Sequence, residues 1–454
     1  MAPNPNALRA LAGAALAIVI AATAQAQTPA VSPQPAAITG EVQPIDLPTA
    51  LRLAGANNID LALVREALVQ AQAQNDAATL SFVPALNGGL GYAKHNGAIQ
   101  DVSGNVIDAT KQLHSAVGGI TSQVNLGDAI FQKLAAGRLQ NAAEYSVEAG
   151  RNITLQAAAT AYFDLVSALT SVEIAREAVS ISGDYQNQLD RAVGIGLANK
   201  SDALRVSVQT QGYQVALRQA EEIARNASVK LANILHVNPA TRFQPTDKIV
   251  PQITLVPLET GLDALIGEAY DKRPELKASA ATLEAADWQK TNSIYGPLIP
   301  TIGAQAMYGN ISGGRLGVPS NSGGTQDYGV MFNWRVGQGG LFDFSRIDYA
   351  KSKLEQGRLN DARLHDDVGR QVVQAFEGAH SAFDQLQLTK RNVDLAQQSL
   401  QLSRGRKEFG VGAVLEVIEA QKDLVQARAA YLRSLTGYAE NQYALAQAIG
   451  RISE

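Results

Sequence analysis

The chain has 454 residues, with 38 basic and 42 acidic side chains, no cysteine and a formal net charge of −4 at pH 7. The weak acidity argues against nucleic acid as a partner, and the absence of cysteine excludes disulfides, thiolate metal sites and a lipidated N-terminal cysteine. Aromatic residues make up only 6% of the chain, a composition that fits long, closely packed helices better than a large globular core.

Residues 1–26 have the pattern of a secretory signal peptide. Arg9 supplies the positive charge, an apolar run follows it, and residues 24–26 (AQA) form a small-x-small cleavage site. The alternative is an uncleaved anchor, although the apolar run is short for a membrane helix. We expect a secreted chain whose N-terminal extension covers residues 27–45.

Strands are predicted in two pairs, because the hydrophobic pattern there alternates with a period of two. The clearest alternation has apolar or aromatic side chains at Tyr328, Val330, Phe332, Trp334 and Val336. The pairs cover about residues 82–126 and 298–338, with exposed loops over residues 94–114 and 310–326. Four strands cannot close a membrane barrel, since the smallest known barrels have about eight. Several chains must therefore share one barrel.

The alternation also divides the last strand between two environments. Tyr328, Val330, Phe332 and Trp334 are predicted to face lipid, and Asn333 and Arg335 to face the lumen.

A heptad pattern of small and apolar residues follows each strand pair. Residues 161–179 alternate spacings of four and three, and residues 375–393 repeat this register 214 positions later. The segments 203–234 and 417–448 correspond in the same way. Such spacing is typical of a coiled-coil seam, and the glycine-containing turns between the segments predict an antiparallel helical hairpin in each half. A self-contained coiled coil is the alternative.

These patterns predict an internally duplicated chain that is mainly α with a membrane β-barrel portion. The first repeat covers residues 46–236, with its helical hairpin at about 133–236. The second repeat covers residues 262–450, with its hairpin at about 345–450. Residues 237–261 join the repeats as a linker or equatorial segment.

The sequence contains no convincing catalytic or metal-binding constellation. The five histidines show no paired ligand spacing, and the short glycine motifs lack the lysine and the strand-to-helix setting that phosphate binding requires. We expect no enzyme activity, no cofactor and no metal site.

With this layout the chain resembles the TolC-like outer membrane efflux protein family over nearly its whole mature length. The motifs that carry the resemblance are residues 196–198 followed by Asp202, Gly410 followed by residues 414–420, and the strand-entry segments 82–86 and 298–302. The resemblance implies a homotrimer with a 12-stranded outer-membrane barrel and a 12-helix periplasmic tunnel. It also implies an exit duct for tripartite efflux or type I secretion, in contact with outer-membrane lipid, a periplasmic adaptor and an inner-membrane pump or ABC exporter.

The resemblance also implies roles for the two hairpin tips, which meet the adaptor in family members. The matching residues are Ile195, Gly196, Leu197 and Ala198 in the first tip, and Phe409, Gly410, Val411 and Gly412 in the second. The alternative is that the glycines only make the turns.

Three acids match the family's pore positions. Glu416 and Glu419 correspond to the acidic pore residues, and Asp202 corresponds to the companion acid of the first hairpin. Three residues apart on one helix, the two glutamates would form two carboxylate rings in a trimer and favour cations. Apart from the resemblance, they read as solvated helix acids.

The chain departs from the best-known family member at two features. Gly412 and Lys407 stand where that member has an arginine and a tyrosine that tie neighbouring hairpins together. The usual proline at the sheet-to-helix transitions is also missing, and the glycine-containing segments 127–131 and 339–343 replace it. We therefore expect the acidic rings to set ion selectivity more than to hold the pore shut.

Two further function classes remain open on the sequence. A periplasmic coiled-coil adaptor or scaffold would need one hairpin flanked by soluble β modules. A secreted enzyme would need polar residues that converge in a pocket.

Overall fold

The computed structural model describes residues 42–315, 321–409 and 412–452. The first half of the chain consists of β1 (Val42–Ile45), α1 (Leu47–Asn57), α2 (Ile59–Leu80), β2 (Ala85–His95), β3 (Ala98–Gln100), β4 (Val106–Asp108), β5 (Lys111–Asn125), α3 (Leu126–Gly194) and α4 (Lys200–Ile234). The second half consists of β6 (Arg242–Pro245), α5 (Leu262–Lys272), α6 (Pro274–Tyr295), β7 (Thr301–Arg315), β8 (Asn321–Asn333), α7 (Phe344–Glu408) and α8 (Val414–Ala448). The predicted mainly helical chain with antiparallel strands is confirmed.

Two long helices dominate the molecule. α3 has 69 residues and α7 has 65, so each is about 100 Å long at about 1.5 Å per residue. α3 follows β5 directly, whereas α7 follows β8 after a loop over residues 334–343. The side chains of Asn125 and Asp343 accept hydrogen bonds from the amides of Asp128 and Arg346 and cap the first turns. The returning helices α4 and α8 have 35 residues each and cover about half that length.

The predicted helical seam is largely buried. Ala161 and Leu165 in α3 are fully buried, as are Leu231 in α4 and Leu445 in α8. Nearer the first tip the seam departs from the heptad register: Ala178 is buried, whereas the predicted Val179 is only half-buried. A straight α-helix drifts away from a strict seven-residue repeat, which accounts for the shift.

The four long strands form one antiparallel sheet in the order β2-β5-β7-β8. The central pair β5–β7 joins the two halves of the chain, from Asn125 opposite Thr301 to Lys111 opposite Arg315. The strands are longer at the loop end than predicted, so the predicted loops over residues 94–114 and 310–326 are too long. The prediction was also wrong at the other end, because β8 stops at Asn333 and excludes Val336.

The two sheet-to-helix transitions are built differently. At the first, Gly127 lies directly against Gly296, and a Cβ atom at Gly127 would come within 2.2 Å of the Gly296 carbonyl oxygen. At the second, the chain makes a tight loop in which Gly339 has a φ of +74°, a conformation that favours glycine. Glycine therefore allows two backbone segments to approach closely at the first transition, and it allows a left-handed turn at the second.

The largest core lies where the helices meet the segment between the repeats. Tyr162 and Tyr438 are fully buried there, and the hydroxyl of Tyr162 donates to the Asp247 carboxylate at 2.6 Å. The Oε1 atom of buried Gln442 accepts from the amides of Leu255 and Val256 at 3.0 Å each. These bonds tie the connecting segment to the helices, and β1 pairs in parallel with β6 beside them.

Two helices precede each strand pair and were not predicted. They are α1 and α2 in the first half and α5 and α6 in the second, and α2 and α6 pack against α3 near the sheet. Within the described ranges, no helix combines the length and the apolar character that a membrane crossing needs.

Candidate functional site

The first hairpin tip is a tight turn between α3 and α4. Gly196 has a φ of +79°, and the amide of Leu197 donates to the Ala192 carbonyl oxygen at 2.8 Å, which satisfies a carbonyl at the helix end. Ile195 is 73% exposed and Leu197 is 79% exposed. Two large apolar side chains therefore project into solvent at the end farthest from the sheet.

The second tip joins α7 to α8. Phe409 is 86% exposed, and the amide of Gly412 donates to the Arg406 carbonyl oxygen at 3.0 Å. The other two predicted tip residues, Gly410 and Val411, lie outside the described residues. The two tips lie side by side, because Leu189 and Ala203 of the first hairpin pack in one cluster with residues 414 and 418 of α8. Ala198, the last predicted residue of the first tip, is partly buried against this cluster.

The predicted pore acids lie just behind the tips. Glu416 is in the first turn of α8 and Asp202 is in the first turn of α4; both are half-buried, whereas Glu419 is exposed. Glu416 forms an ion pair with the Arg406 guanidinium at 3.4 Å, and Glu419 forms one with the Lys422 ammonium at 3.7 Å. Such solvent-exposed pairs contribute little to stability, but each brings a positive charge close to a predicted ring.

Tyrosines of the first hairpin lie close to two of these acids. Burial raises the pKa of Tyr185, and the charge of Asp202 adds to this effect. Burial also raises the pKa of Tyr213, and the charge of Glu419 acts in the same direction. Tyr213 is in α4, so Glu419 of α8 lies near the contact between the two hairpins of one chain.

Two polar clusters were missed by the sequence analysis. Arg346, at the start of α7, donates to Asp128 at the start of α3 at 2.9 Å, which links the two sheet-to-helix transitions. Farther along the helices, Lys230 pairs with Asp164 at 2.7 Å. Burial, followed by the charge of Asp164, raises the pKa of Glu440 to about 7. These residues are far apart in the sequence, so no local pattern identifies them.

The sheet has one apolar and one polar face. Residues directly opposite each other on neighbouring strands share a face, and the strand register sets Val330 opposite Ala304, and Phe332 opposite Ile302. Tyr328, Val330 and Phe332 are 75%, 69% and 57% exposed. The other face carries mainly polar side chains, including Asn87, Thr121, Gln305, Asp327 and Asn333.

The end of the predicted lipid face nearest the helices differs from the rest. Trp334 and Arg335 follow the end of β8, so strand alternation does not extend to them. Trp334 is 56% exposed, and its indole Nε1 atom donates to the Leu298 carbonyl oxygen at 3.3 Å. Nothing in the described chain covers the apolar face, and β2 and β8 each have an edge with no strand beside it.

The chain thus combines an open antiparallel sheet with an exposed apolar face and two helical hairpins whose longer helices are about 100 Å long. The family model described as "Outer membrane efflux protein" matches residues 265–451. The chain is therefore similar to this family over most of its second half, in agreement with the resemblance of its sequence motifs. Members of the family form trimeric channels in tripartite efflux systems.

Individual relatives are similar to the chain over part of their length. The chain is 24% identical over 301 residues to the outer membrane efflux protein BepC of Brucella suis, an alignment that covers 66% of this chain and 64% of BepC. It is 27% identical over 278 residues to the protein CyaE of Bordetella pertussis, covering 60% of this chain and 55% of CyaE. The chain thus aligns with less than two thirds of the length of either relative.

A solved structure has the same fold. The CmeC outer membrane channel of Campylobacter jejuni superimposes with a TM-score of 0.76 at 18% identity, over 89% of this chain and 85% of CmeC. At this level of identity the superposition shows a shared fold.

Proposed function

We propose that three copies of this chain form one outer-membrane exit duct for tripartite efflux or type I secretion. The duct is passive, and it opens when a periplasmic adaptor and an inner-membrane pump or ABC exporter dock at the hairpin tips. The observation that carries the proposal is the open four-stranded sheet. Its two free edges and its apolar face require partners that one chain does not supply.

The strand directions support closure by identical copies. The order β2-β5-β7-β8 is antiparallel throughout, so β2 and β8 run in opposite directions. The β8 edge of one copy therefore meets the β2 edge of the next as another antiparallel pair. Three copies close a 12-stranded barrel, well above the minimum of about eight strands, and leave no backbone group exposed to lipid.

The height of the apolar face fits a bilayer. The apolar face begins at Ile302 of β7 and extends to Leu90 of β2, which is level with Asn310 of β7 through Ala116 of β5. It therefore covers residues 302–310 of β7. This stretch is about 27 Å along the strand, and its length in residues is that of a tilted transmembrane β-strand, about 9–11 residues. The apolar face is therefore long enough to cross the hydrocarbon.

The helices also carry apolar stripes that one chain leaves uncovered. Val208, Val215 and Val229 of α4 are exposed at multiples of seven residues, and Leu388, Leu395 and Leu402 of α7 repeat every seven. A seven-residue repeat is typical of a helix that packs against another helix. In a closed ring of three copies, α4 of one chain meets α7 of the next, which gives the predicted 12-helix periplasmic tunnel.

The alternative function is a periplasmic coiled-coil adaptor or scaffold without a channel. The sheet argues against it, because a soluble scaffold has no use for an exposed apolar face of bilayer height. The relatives support the duct, since one is described as an efflux protein and the structural neighbour as an outer membrane channel.

Single-channel recording tests the duct and its acidic rings together. Wild-type protein in a planar bilayer is expected to give discrete, cation-preferring current steps, because six glutamate side chains converge near the tips. The Glu416→Gln/Glu419→Gln variant is expected to lose most of that preference without a change in trimer assembly.

Arg406→Gln is the matched control. It removes the positive charge beside Glu416, so it is expected to raise cation preference, and both effects are expected to shrink at high salt because salt screens the charges. A protein without current steps would favour the scaffold. Unchanged ion selectivity in both variants would show that Glu416 and Glu419 are solvated helix acids without a role in the pore.

A further inference from the structure

The segment between β2 and β5 is a small ordered hairpin that folds over the sheet. β3 and β4 pair with Ile99 opposite Ile107, and the amide of Ala109 donates to the Gly97 carbonyl oxygen at 2.9 Å. At the hairpin's turn, the Asp101 carboxylate accepts from the amides of Ser103 and Asn105 at 2.9 Å each. The hairpin therefore has its own internal hydrogen bonds and a defined shape.

The hairpin encloses an apolar groove against the sheet. Ile99 and Ile107 form one wall, and Leu113 of β5 and Ile311 of β7 form the other, around a cavity of about 910 Å³. Leu113 and Ile311 are 46% and 41% exposed, so these apolar walls are accessible. The volume lies in the range of small-molecule sites, about 300–1,000 Å³.

The groove lies on the polar face of the sheet, at the end farthest from the helices. The register sets Ile311 opposite Ser115, in the same alternating set as Gln305 and Thr121. This face is the one opposite Tyr328 and Val330. In the proposed duct, which this step assumes, the groove therefore lines the external mouth of the lumen.

The rim of the groove is basic. His95 and Lys111 line it and are directly opposite each other on neighbouring strands, whereas Lys94, opposite Gln112, alternates onto the other face of the sheet. Among the described residues that line the groove, none is acidic. Apolar walls under a basic rim are complementary to a molecule with an apolar tail and an anionic head.

We propose that this groove binds an amphiphilic anion. The tail packs against Ile99, Ile107, Leu113 and Ile311, and the anionic head accepts charge-assisted hydrogen bonds from the Lys111 ammonium and from a ring N–H of His95. Three such grooves would surround the exit of the duct. An occupied groove narrows the external mouth and adds negative charge beside its basic rim.

Calorimetric titration of the intact protein in nanodiscs of zwitterionic lipid tests this proposal with decanesulfonate as the probe. Wild-type protein is expected to bind it above the background of empty nanodiscs, and to bind butanesulfonate and decyltrimethylammonium at least tenfold more weakly. The His95→Gln/Lys111→Gln variant is expected to bind decanesulfonate about tenfold more weakly, since it loses the donors to the anionic head. Leu113→Asn is expected to weaken binding as well, and Lys200→Gln, at the far hairpin tip, to leave it unchanged.

Each variant is compared only after its mass in detergent and its circular dichroism match those of the wild type. Equal binding of decyltrimethylammonium, or no effect of the substitutions at His95 and Lys111, would overturn the proposal. Absence of binding to the wild type would also overturn it, as expected if a neighbouring chain fills the groove. The titration does not depend on conduction, so a protein without current steps contradicts the proposed duct and not the binding site.

Discussion

Replacing Val330 by arginine is expected to abolish assembly of the trimer in the outer membrane. Val330 lies on the apolar face, opposite Ala304 and next to the central pair Ala306–Tyr328, and is 69% exposed in the single chain. An arginine on the lipid face of a barrel near the bilayer midplane costs about 2–4 kcal/mol. A trimer carries that cost three times, which is a large fraction of the stability of a typical protein.

Two control substitutions separate the lipid face from the lumen. Asn333→Arg lies on the polar face, and Met331→Arg lies on that face at almost the same depth as Val330. Both are expected to assemble, because a luminal arginine remains in water. Heat-modifiable trimer bands from isolated outer membranes provide the measurement. Equal loss of trimer in all three variants would refute the division of faces.

Replacing Gly196 by tryptophan is expected to abolish export while the trimer remains intact. Gly196 lies at the tip farthest from the sheet, between exposed Ile195 and Leu197, and no atom lies within 4 Å of the position a Cβ would occupy. A bulky side chain therefore fits in the isolated chain, but it covers the surface that a docking adaptor would contact. The same result is expected at Gly410.

The positive φ of Gly196 requires a matched control. Any side chain at a φ of +79° is strained, at a cost of about 1 kcal/mol. Asparagine tolerates this conformation better than most residues and adds little bulk, so Gly196→Asn is expected to retain export. Export is measured as the ability of each variant to correct the export defect of a strain in which the gene is deleted, with the wild-type copy as the reference. Loss of the trimer in the tryptophan variant would instead indicate that Gly196 only forms the turn and has no role in docking.

The sequence predicted the long elements because their periodicity persists over many residues. The heptads around Leu165 and Leu424 extend over several turns, and the buried positions follow them. The predicted heptad register fails at Val179, because small deviations in helical twist accumulate over a helix of 69 residues. The strand end at Asn333 was missed because Trp334 and Val336 continue the alternation as part of a loop.

The helices that were missed carry local signals at their starts. α1 begins after Asp46, which caps it, with a proline in its first turn, and α6 begins with Pro274. Cap and proline signals such as these identify helix starts. Their buried faces consist largely of alanine, such as Ala281 and Ala285 in α6, so the hydrophobic pattern was weak.

The candidate site was predictable in part. The motifs identified the tips and the acids, but the pairing of Glu416 with Arg406 depends on the geometry of the second turn. The groove under β3–β4 was not predictable, because it depends on the pairing of β5 with β7, which are separated by nearly half the chain. Non-local strand pairing is the information that one sequence carries least clearly.

The central claim is that identical chains share one barrel, and the mass of the purified mature protein tests it most directly. The protein is expected to require detergent for extraction and to contain three chains per particle after subtraction of bound detergent, because four strands do not close alone. A stable monomer that remains soluble in water without detergent would contradict the account.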